Sequence, residues 1–573
     1  MTHSMFRPIV ALTLGLALIM PPAVSRAQTL DNADAGAYLA ARSAAISQDY
    51  RQGAYWFGRA LAADPDNLGL LDGMVVSNIA TGDLEAAATA AEHLVSLGGR
   101  SIGGNMALLV RDAANENYEA LLSAPKEREI GNLMDQLVKA WAQLGAGKMS
   151  EAIEAFDAVI KTDKAFGLYH KALSLAAVGD FEGADAILSG RAAGPLVVNR
   201  RGVLAHVQIL SQLEKPQEAL DLLDKAFGND PDPQIAALRA DLTAGKPLPY
   251  DTVTSARQGI AEVMFTIAAA LNGQADDSYT LLYARSAVYL NPGHTEALLM
   301  TAGLLDQLQQ SDLAAEAYGS IPPDHPAYHN AQIGLADALH KLGREDEAIA
   351  ALKALTESHG DLPVVYLAYG DALRRLERFD ESAAAYGEAL ARIGTIEPRH
   401  WSLFYSRGIS LERAGDWPGA EADLRKALEL NPDQPQVLNY LGYSYVDRGT
   451  NLDEALGMIK RAVTAQPDSG FIIDSLAWAY YRLGRYQDAV EPMERASLLE
   501  PVDPIVTDHL GDIYWAVGRQ LEARFQWRRA LSFEPEEKEA IRIRRKLEVG
   551  LDVVLKEEGA PALTPADAAD ANN

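Results

Sequence analysis

Residues 470–501 read GFIIDSLAWAYYRLGRYQDAVEPMERASLLEP, and this stretch decides the fold. Ile473, Leu476, Ala477 and Tyr480 recur at helical spacing. Gly484 then interrupts the pattern, as a residue free to take positive φ can. Tyr486, Ala489, Met493 and Ala496 restart the same spacing, and Pro501 closes the stretch because proline cannot continue a helix. The unit is therefore a helical hairpin. Alanines at 477, 489 and 496 let its helices approach closely, where larger side chains would overpack. The hairpin also recurs. Ala420, Ala455, Ala489 and Ala523 are followed seven residues later by Ala427, Ala462, Ala496 and Ala530. Pro432, Pro467, Pro501 and Pro535 come five residues after those, and Gly415, Gly484 and Gly518 stand five residues before three of the first alanines. A fixed period in this range means stacked supersecondary units, each unable to bury its apolar face alone.

The pattern resembles the tetratricopeptide repeat family. The matching residues are Leu510, Gly511, Tyr514, Ala523, Trp527, Ala530 and Pro535, and Leu441, Gly442, Tyr445, Ala455, Ala462 and Pro467. Looser units follow upstream: Gly370, Leu373, Phe379, Ala383, Tyr386 and Ala389; Leu339, Gly343 and Ala348; Gly303, Ala315 and Tyr318. Ala287 and Pro292 end a unit whose first helix is Ile260 to Leu271. Further on lie Gly82 with Ala87, Gly147 with Ala152, Gly179 with Ala184, and Glu214 with Ala219, where glutamate stands for the turn glycine. The resemblance implies an all-α fold: an α-solenoid, a right-handed superhelix of about a dozen hairpins with a capping helix at its C-terminal end. It also implies that first helices line a concave, protein-binding groove. The family's groove positions fall here on Tyr405, Arg413, Asn439, Tyr443, Phe471, Asp474, Trp478, Tyr481, Arg482, Asp508, Asp512 and Trp515. Rigid aromatics among carboxylates and arginines suit protein-binding anchors. The family's carboxylate-clamping set of lysines and asparagines is absent, since 474 and 508 are aspartates.

The domain reading follows from punctuation. Residues 1–27 have the form of a signal peptide: Arg7, an apolar run from Ile9 to Met20, and Ser25-Arg26-Ala27 as a small-x-small cleavage site. Degenerate repeats are expected over 28–245, a bend or linker over 246–258, the repeat array over 259–535, a capping helix over 536–558 and a disordered tail over 559–573. The bend rests on Lys246-Pro247-Leu248-Pro249-Tyr250. No cysteine occurs in the 573 residues, which excludes disulfides, thiolate metal sites and a lipidation cysteine. The expectation is a periplasmic protein, exported with its signal cleaved.

The net charge of −28, from 51 basic and 79 acidic residues, argues against nucleic acid as a partner, which needs a basic footprint. Chemistry is sparse. Gly145-Ala146-Gly147-Lys148 lacks the spacing and flanking strand of a phosphate loop, with Ala142 and Met149 at the decisive positions. Asp508, His509 and Asp512 do not share one helix face. No catalytic residue, cofactor, metal or small-molecule substrate is expected. In the segment Glu536 to Lys556, read as one long helix, Arg542, Arg544, Arg545 and Lys546 form a basic cluster, expected to be a solvated cap face. The functional expectation is a non-catalytic scaffold or adaptor. Its architecture is similar to exported tetratricopeptide adaptors that deliver cell-wall hydrolases to processing proteases. The alternatives are a structural component of an envelope assembly or polysaccharide-export machine, and an enzyme hidden in residues 100–260.

Overall fold

The computed structural model describes residues 34–228 and 232–563. Residues 1–27, expected to be a signal peptide, lie outside the described residues, as does most of the expected C-terminal tail. The described residues form α-helices joined by turns, with two single-turn 3-10 helices and no β-strand among them. The fold is the expected all-α solenoid of helical hairpins. It divides into two compact units, residues 1–321 and 322–573. That boundary falls at Ile321–Pro322 rather than at 246–258. The 246–258 stretch lies inside the first unit, laid along the helix Arg200–Gln212: Gln212 donates to the Leu248 carbonyl, the Leu248 N–H donates to Ser211 Oγ, and Gln208 donates to Asp251.

In the second unit the periodic residues do what their size allows. Ala420, Ala455, Ala489 and Ala523, and Ala427, Ala462, Ala496 and Ala530, are all fully buried between helices. Glycines of the first helices meet side chains of their own second helices. A Cβ on Gly511 would stand 2.4 Å from the Trp527 ring, and one on Gly442 would stand 2.8 Å from Ile459. The turn after each first helix requires a left-handed residue. Gly415, Gly484 and Gly518 supply it at φ 91, 74 and 81°, and Glu214 and Glu377 adopt it at 58 and 57° without glycine's freedom. A second periodic device is arginine. Arg461, Arg495 and Arg529, spaced by 34, each donate from a second helix to the carbonyl of Pro432, Pro467 or Pro501, the closing proline of the preceding unit.

The first unit departs from nearest-neighbour stacking. Its helices Ala256–Leu271 and Asp277–Leu290 form a hairpin as the period indicates. They also pack back on upstream first helices, Ala256–Leu271 on Asn132–Gly145 and Lys164–Ala177, Asp277–Leu290 on Leu68–Thr81 and Ile102–Ala114. The sequence permits this because both helices are apolar almost all round: Ile260, Ala261, Val263 and Met264 are each fully buried, as are Leu281, Ala284 and Ala287. Gly259 is needed at the contact, since a Cβ there would lie 2.2 Å from the Trp141 ring.

Candidate functional site

In the second unit, consecutive first helices touch one another: Pro363–Arg375, Trp401–Arg413, Pro435–Arg448, Gly470–Arg482 and Pro504–Ala516. The anticipated groove residues all sit on the last four of these helices, yet they divide into two sets.

One set is consumed within the protein. Asp474, 7% exposed, bonds His509 Nδ1 at 2.9 Å. Asp508 takes the Lys546 ammonium on both oxygens at 2.6 and 2.7 Å, and Asp512 takes it on Oδ1 at 2.6 Å. Asp512 also accepts from Trp527 Nε1 at 2.9 Å and faces Arg542 at 3.3 Å. Trp515 donates to Asp552 at 2.8 Å and lies against Gly550. Tyr481 is buried against Trp478, its ring centroid 4.6 Å away, and burial pushes its hydroxyl well above the ordinary range. These five residues, Asp474, Asp508, Asp512, Tyr481 and Trp515, form the seam between adjacent first helices and the C-terminal cap. They are not an open face. The reason is positional: Asp474 and Asp508 occupy equivalent sites 34 residues apart, and each meets a nitrogen donor on the next helix, His509 or Lys546. The cap itself is two helices, Glu537–Val549 and Leu551–Glu557, broken at Gly550 with φ 89°. Its Lys546 is fully buried and not solvated.

The other set is half-buried. Asn439 Oδ1 is buried with no hydrogen-bond partner among the described residues, whereas Tyr405, Tyr443 and Trp478 are half-buried and their polar ends are not buried unpaired atoms. Tyr405 packs edge-on against Tyr440 at 5.9 Å, and Trp478 stacks on His509 at 3.9 Å, so the rings are held rigid. Burial, with Asp474 and Asp447 nearby, raises Tyr443 to about 12. Arg413 sits over the Phe379 ring, and Arg482 donates to the Asp447 carbonyl. Phe471 is exposed at the start of its helix. Tyr440, absent from the anticipated set, joins this face and donates to Glu412. Its signal was available, since it stands one residue from Asn439 on the same helix.

Elsewhere, the Gly145–Lys148 stretch is an inter-helix turn, with Lys148 paired to Glu119 at 2.7 Å. No cluster able to hold a metal ion occurs among the described residues. No helix among them is long and apolar enough to cross a membrane. Residues 102–243 are helices and turns with an irregular connection at 195–199, and no non-helical domain is inserted there among the described residues. The most charged buried group, Glu262, is fully occupied: Tyr169 donates to Oε1 at 2.9 Å, and Arg201 donates to Oε2 at 2.8 Å. Burial, the largest single influence, would raise its pKa, but the Arg201 guanidinium and His294 at 3.2 Å together outweigh it and hold the carboxyl far below the ordinary range. This network fixes the returning hairpin to the helices Lys164–Ala177 and Arg200–Gln212.

The tetratricopeptide-repeat family model matches residues 299–363, 367–435, 405–470 and 475–533. Residues 299–533 of the chain carry tetratricopeptide repeats. A stretch of 92 residues is 38% identical to a TPR repeat-containing protein of Pseudomonas aeruginosa, covering 16% of this chain and 16% of that one. The chain thus spans about a sixth of that relative's length. Among solved structures, the Cut9–Hcn1 APC/C hetero-tetramer is similar at 14% identity over 90% of this chain and 96% of that chain, with a TM-score of 0.38. Yeast Tom70 is similar at 13% identity over 92% and 99%, with a TM-score of 0.35. YrrB, described as a TPR protein with an unusual peptide-binding site, is similar at 21% identity over 33% and 94%, with a TM-score of 0.28.

Proposed function

We propose that the chain is a protein-binding scaffold, and that its partner lies along the first-helix face made by Tyr405, Asn439, Tyr443 and Trp478, flanked by Arg413 and Arg482. One observation carries the reading: Asn439 Oδ1 is buried without a hydrogen-bond partner, and beside it on three consecutive first helices stand the half-buried rings of Tyr405, Tyr443 and Trp478. A buried polar atom left unpaired is destabilising by about 1–3 kcal/mol, so a ligand that satisfies the Asn439 amide oxygen recovers that free energy on binding. Aromatic bodies give contact area at low entropic cost, and an asparagine amide can pair with a peptide backbone group through both its atoms. Aspartates 474, 508 and 512 and Trp515 play an indirect part by fixing the helices that carry the face. The working location we propose is the periplasm, on the signal-like residues 1–27. Binding sets the partner's position and effective concentration and involves no bond chemistry.

The test is site-specific photo-crosslinking. A crosslinker at Tyr443 or Asn439 should capture the same partner from periplasmic extract, and one at Ala422, exposed on a second helix, should not. Tyr443→Ala with Trp478→Ala should abolish capture at an unchanged helical content. Capture from 422 alone, or capture that survives the double substitution, would place the partner on another face. Identification of an export or assembly subunit would favour the structural-component reading over the adaptor reading.

A further inference from the structure

A cavity of about 490 Å³ in the first unit, away from the partner face, lies where the returning hairpin meets the ends of two upstream helices. Arg257 and Arg285 line it together with Gly82, Ala114, Val288 and Pro292. Each guanidinium is held in place by its Nε. Arg257 donates to the Leu290 carbonyl at 2.9 Å, and Arg285 donates to the Ala80 carbonyl at 2.8 Å. Arg257 Nη2 reaches the Tyr289 carbonyl at 3.4 Å. Among the described residues, Arg257 Nη1 and both Nη atoms of Arg285 have no hydrogen-bond partner, and neither arginine forms an ion pair. A Cβ on Gly82 would stand 3.6 Å from Arg285 Nη1, so the absence of a side chain there keeps that atom accessible. The nearby carboxylates are engaged elsewhere: Glu85 accepts from the Tyr289 hydroxyl at 2.7 Å, and Glu316 accepts from Arg51 at 2.7 Å. Burial pushes the Arg285 pKa down to about 10, the direction for a cation that lacks its counter-ion. Each arginine caps helix-end carbonyls through its Nε, which leaves Nη donors over and above that structural role.

We infer that this cavity binds an organic carboxylate, with the anion between Arg257 and Arg285 and the ligand's apolar part against Ala114, Val288 and Pro292. The volume lies in the range of small-molecule sites. Paired guanidiniums match the planar, two-oxygen geometry of a carboxylate. The anion is a carboxylate and not a phosphate, because the helices Leu68–Thr81 and Ile102–Ala114 end at the cavity. Their C-terminal ends, each carrying roughly half a negative charge, offset part of the two guanidinium charges and favour a monoanion over a dianion.

Calorimetry on the full chain with N-acetyl-dialanine, its C-terminal carboxamide and inorganic phosphate tests this. The acid should bind saturably, and the carboxamide and phosphate should not. A ten-residue peptide ending in the same dialanine should also bind if the site admits a chain end, and should fail if it takes only a free small acid. Arg257→Gln with Arg285→Gln should weaken binding roughly tenfold or more, the magnitude of lost hydrogen bonds to charged groups. Ala114→Glu, which puts a carboxylate inside the cavity, should remove binding while the melting temperature holds or rises. No saturable heat with the acid, equal binding of acid and carboxamide, binding of phosphate alone, or full affinity in a folded Ala114→Glu variant would each overturn the inference.

Discussion

Replacing Lys546 with methionine tests the reading of the aspartates as seam and not groove. The ammonium is fully buried and bridges Asp508 and Asp512 at 2.6–2.7 Å. Methionine keeps most of the volume and leaves two buried carboxylates with the Trp527 Nε1 bond to Asp512 and Arg542 at 3.3 Å from Asp512 and 3.9 Å from Asp508, but without their bridging ammonium. Removing one partner of a buried ionic cluster typically destabilises by about 3–5 kcal/mol, because the remaining charge stays desolvated and unpaired. Against this, docking of the cap rests on Ile543, Leu551, Val554 and Leu555, all buried. Each is worth at most about 1.5–3 kcal/mol, so the loss is a large fraction of what holds the cap. In a stacked array the damage stays local: the helices Glu537–Val549 and Leu551–Glu557 detach while upstream hairpins persist. Trp515, 9% exposed and bonded to Asp552, should then show red-shifted emission, and protease should cut between 533 and 560. Asp508→Asn and Asp512→Asn combined with Lys546→Met should restore docking, since no unpaired charge remains. A Lys546→Met chain with unshifted fluorescence and an intact C-terminal end, or a triple variant no better than the single one, would refute the reasoning.

Three further outcomes are expected. Trp141 donates to His170 Nδ1 at 3.2 Å, so this nitrogen carries no proton, and burial pushes the ring's pKa down to about 4. A depressed histidine stabilises fully above its unfolded value of 6.5 and loses that contribution as pH falls toward about 4, here on the order of 3 kcal/mol; His170→Gln should flatten that limb in a pH series of thermal melts. Gly259→Ala places a Cβ against the Trp141 ring and should lower the first unit's stability by about 1–3 kcal/mol, whereas Gly303→Ala, with open space around it, should be neutral or mildly stabilising in the same assay. Glu377→Gly relieves a left-handed residue at φ 57° and should stabilise by about 0.5–1 kcal/mol, the gain being reduced by glycine's freedom in the unfolded chain, as read by denaturant midpoint.

The repeat was legible because its determinants are local and steric. Ala489 or Gly511 is small for one reason, the approach of a partner helix, and that reason recurs every 34 residues. The periodic arginines 461, 495 and 529 were equally legible by spacing, since each stands six residues after the marker alanine. They escape a reading that looks only for apolar and turn residues. The return of the helices Ala256–Leu271 and Asp277–Leu290 onto upstream helices was not legible from the period, which places neighbours and says nothing of contacts 93 to 205 residues apart. Its trace in the sequence is the loss of a polar face over Ile260–Met264, together with Gly259 where a helix former would otherwise serve.

The candidate face shows why a family position is a weaker guide than a bonding inventory. Asn439, Asp474 and Asp508 occupy the same place in three successive units, yet their fates differ with the residue that the next first helix or the cap presents. Opposite Asp474 comes His509, and opposite Asp508 comes Lys546; both aspartates are bonded, and the seam closes. Asn439 meets no such partner, and its Oδ1 stays unsatisfied. The same contrast runs one turn later, where Asp512 is bonded by Lys546 and Trp527 while Tyr443 is half-buried. The unsatisfied amide therefore lies in the middle of the second unit, between Trp401 and Arg482, and toward the cap charge pairs take its place. In the first unit the corresponding helices are already covered by the chain's own hairpin. What remains accessible there is the cavity at the hairpin's edge, whose two arginines, unlike the aspartates of the cap, have been left without opposite charges.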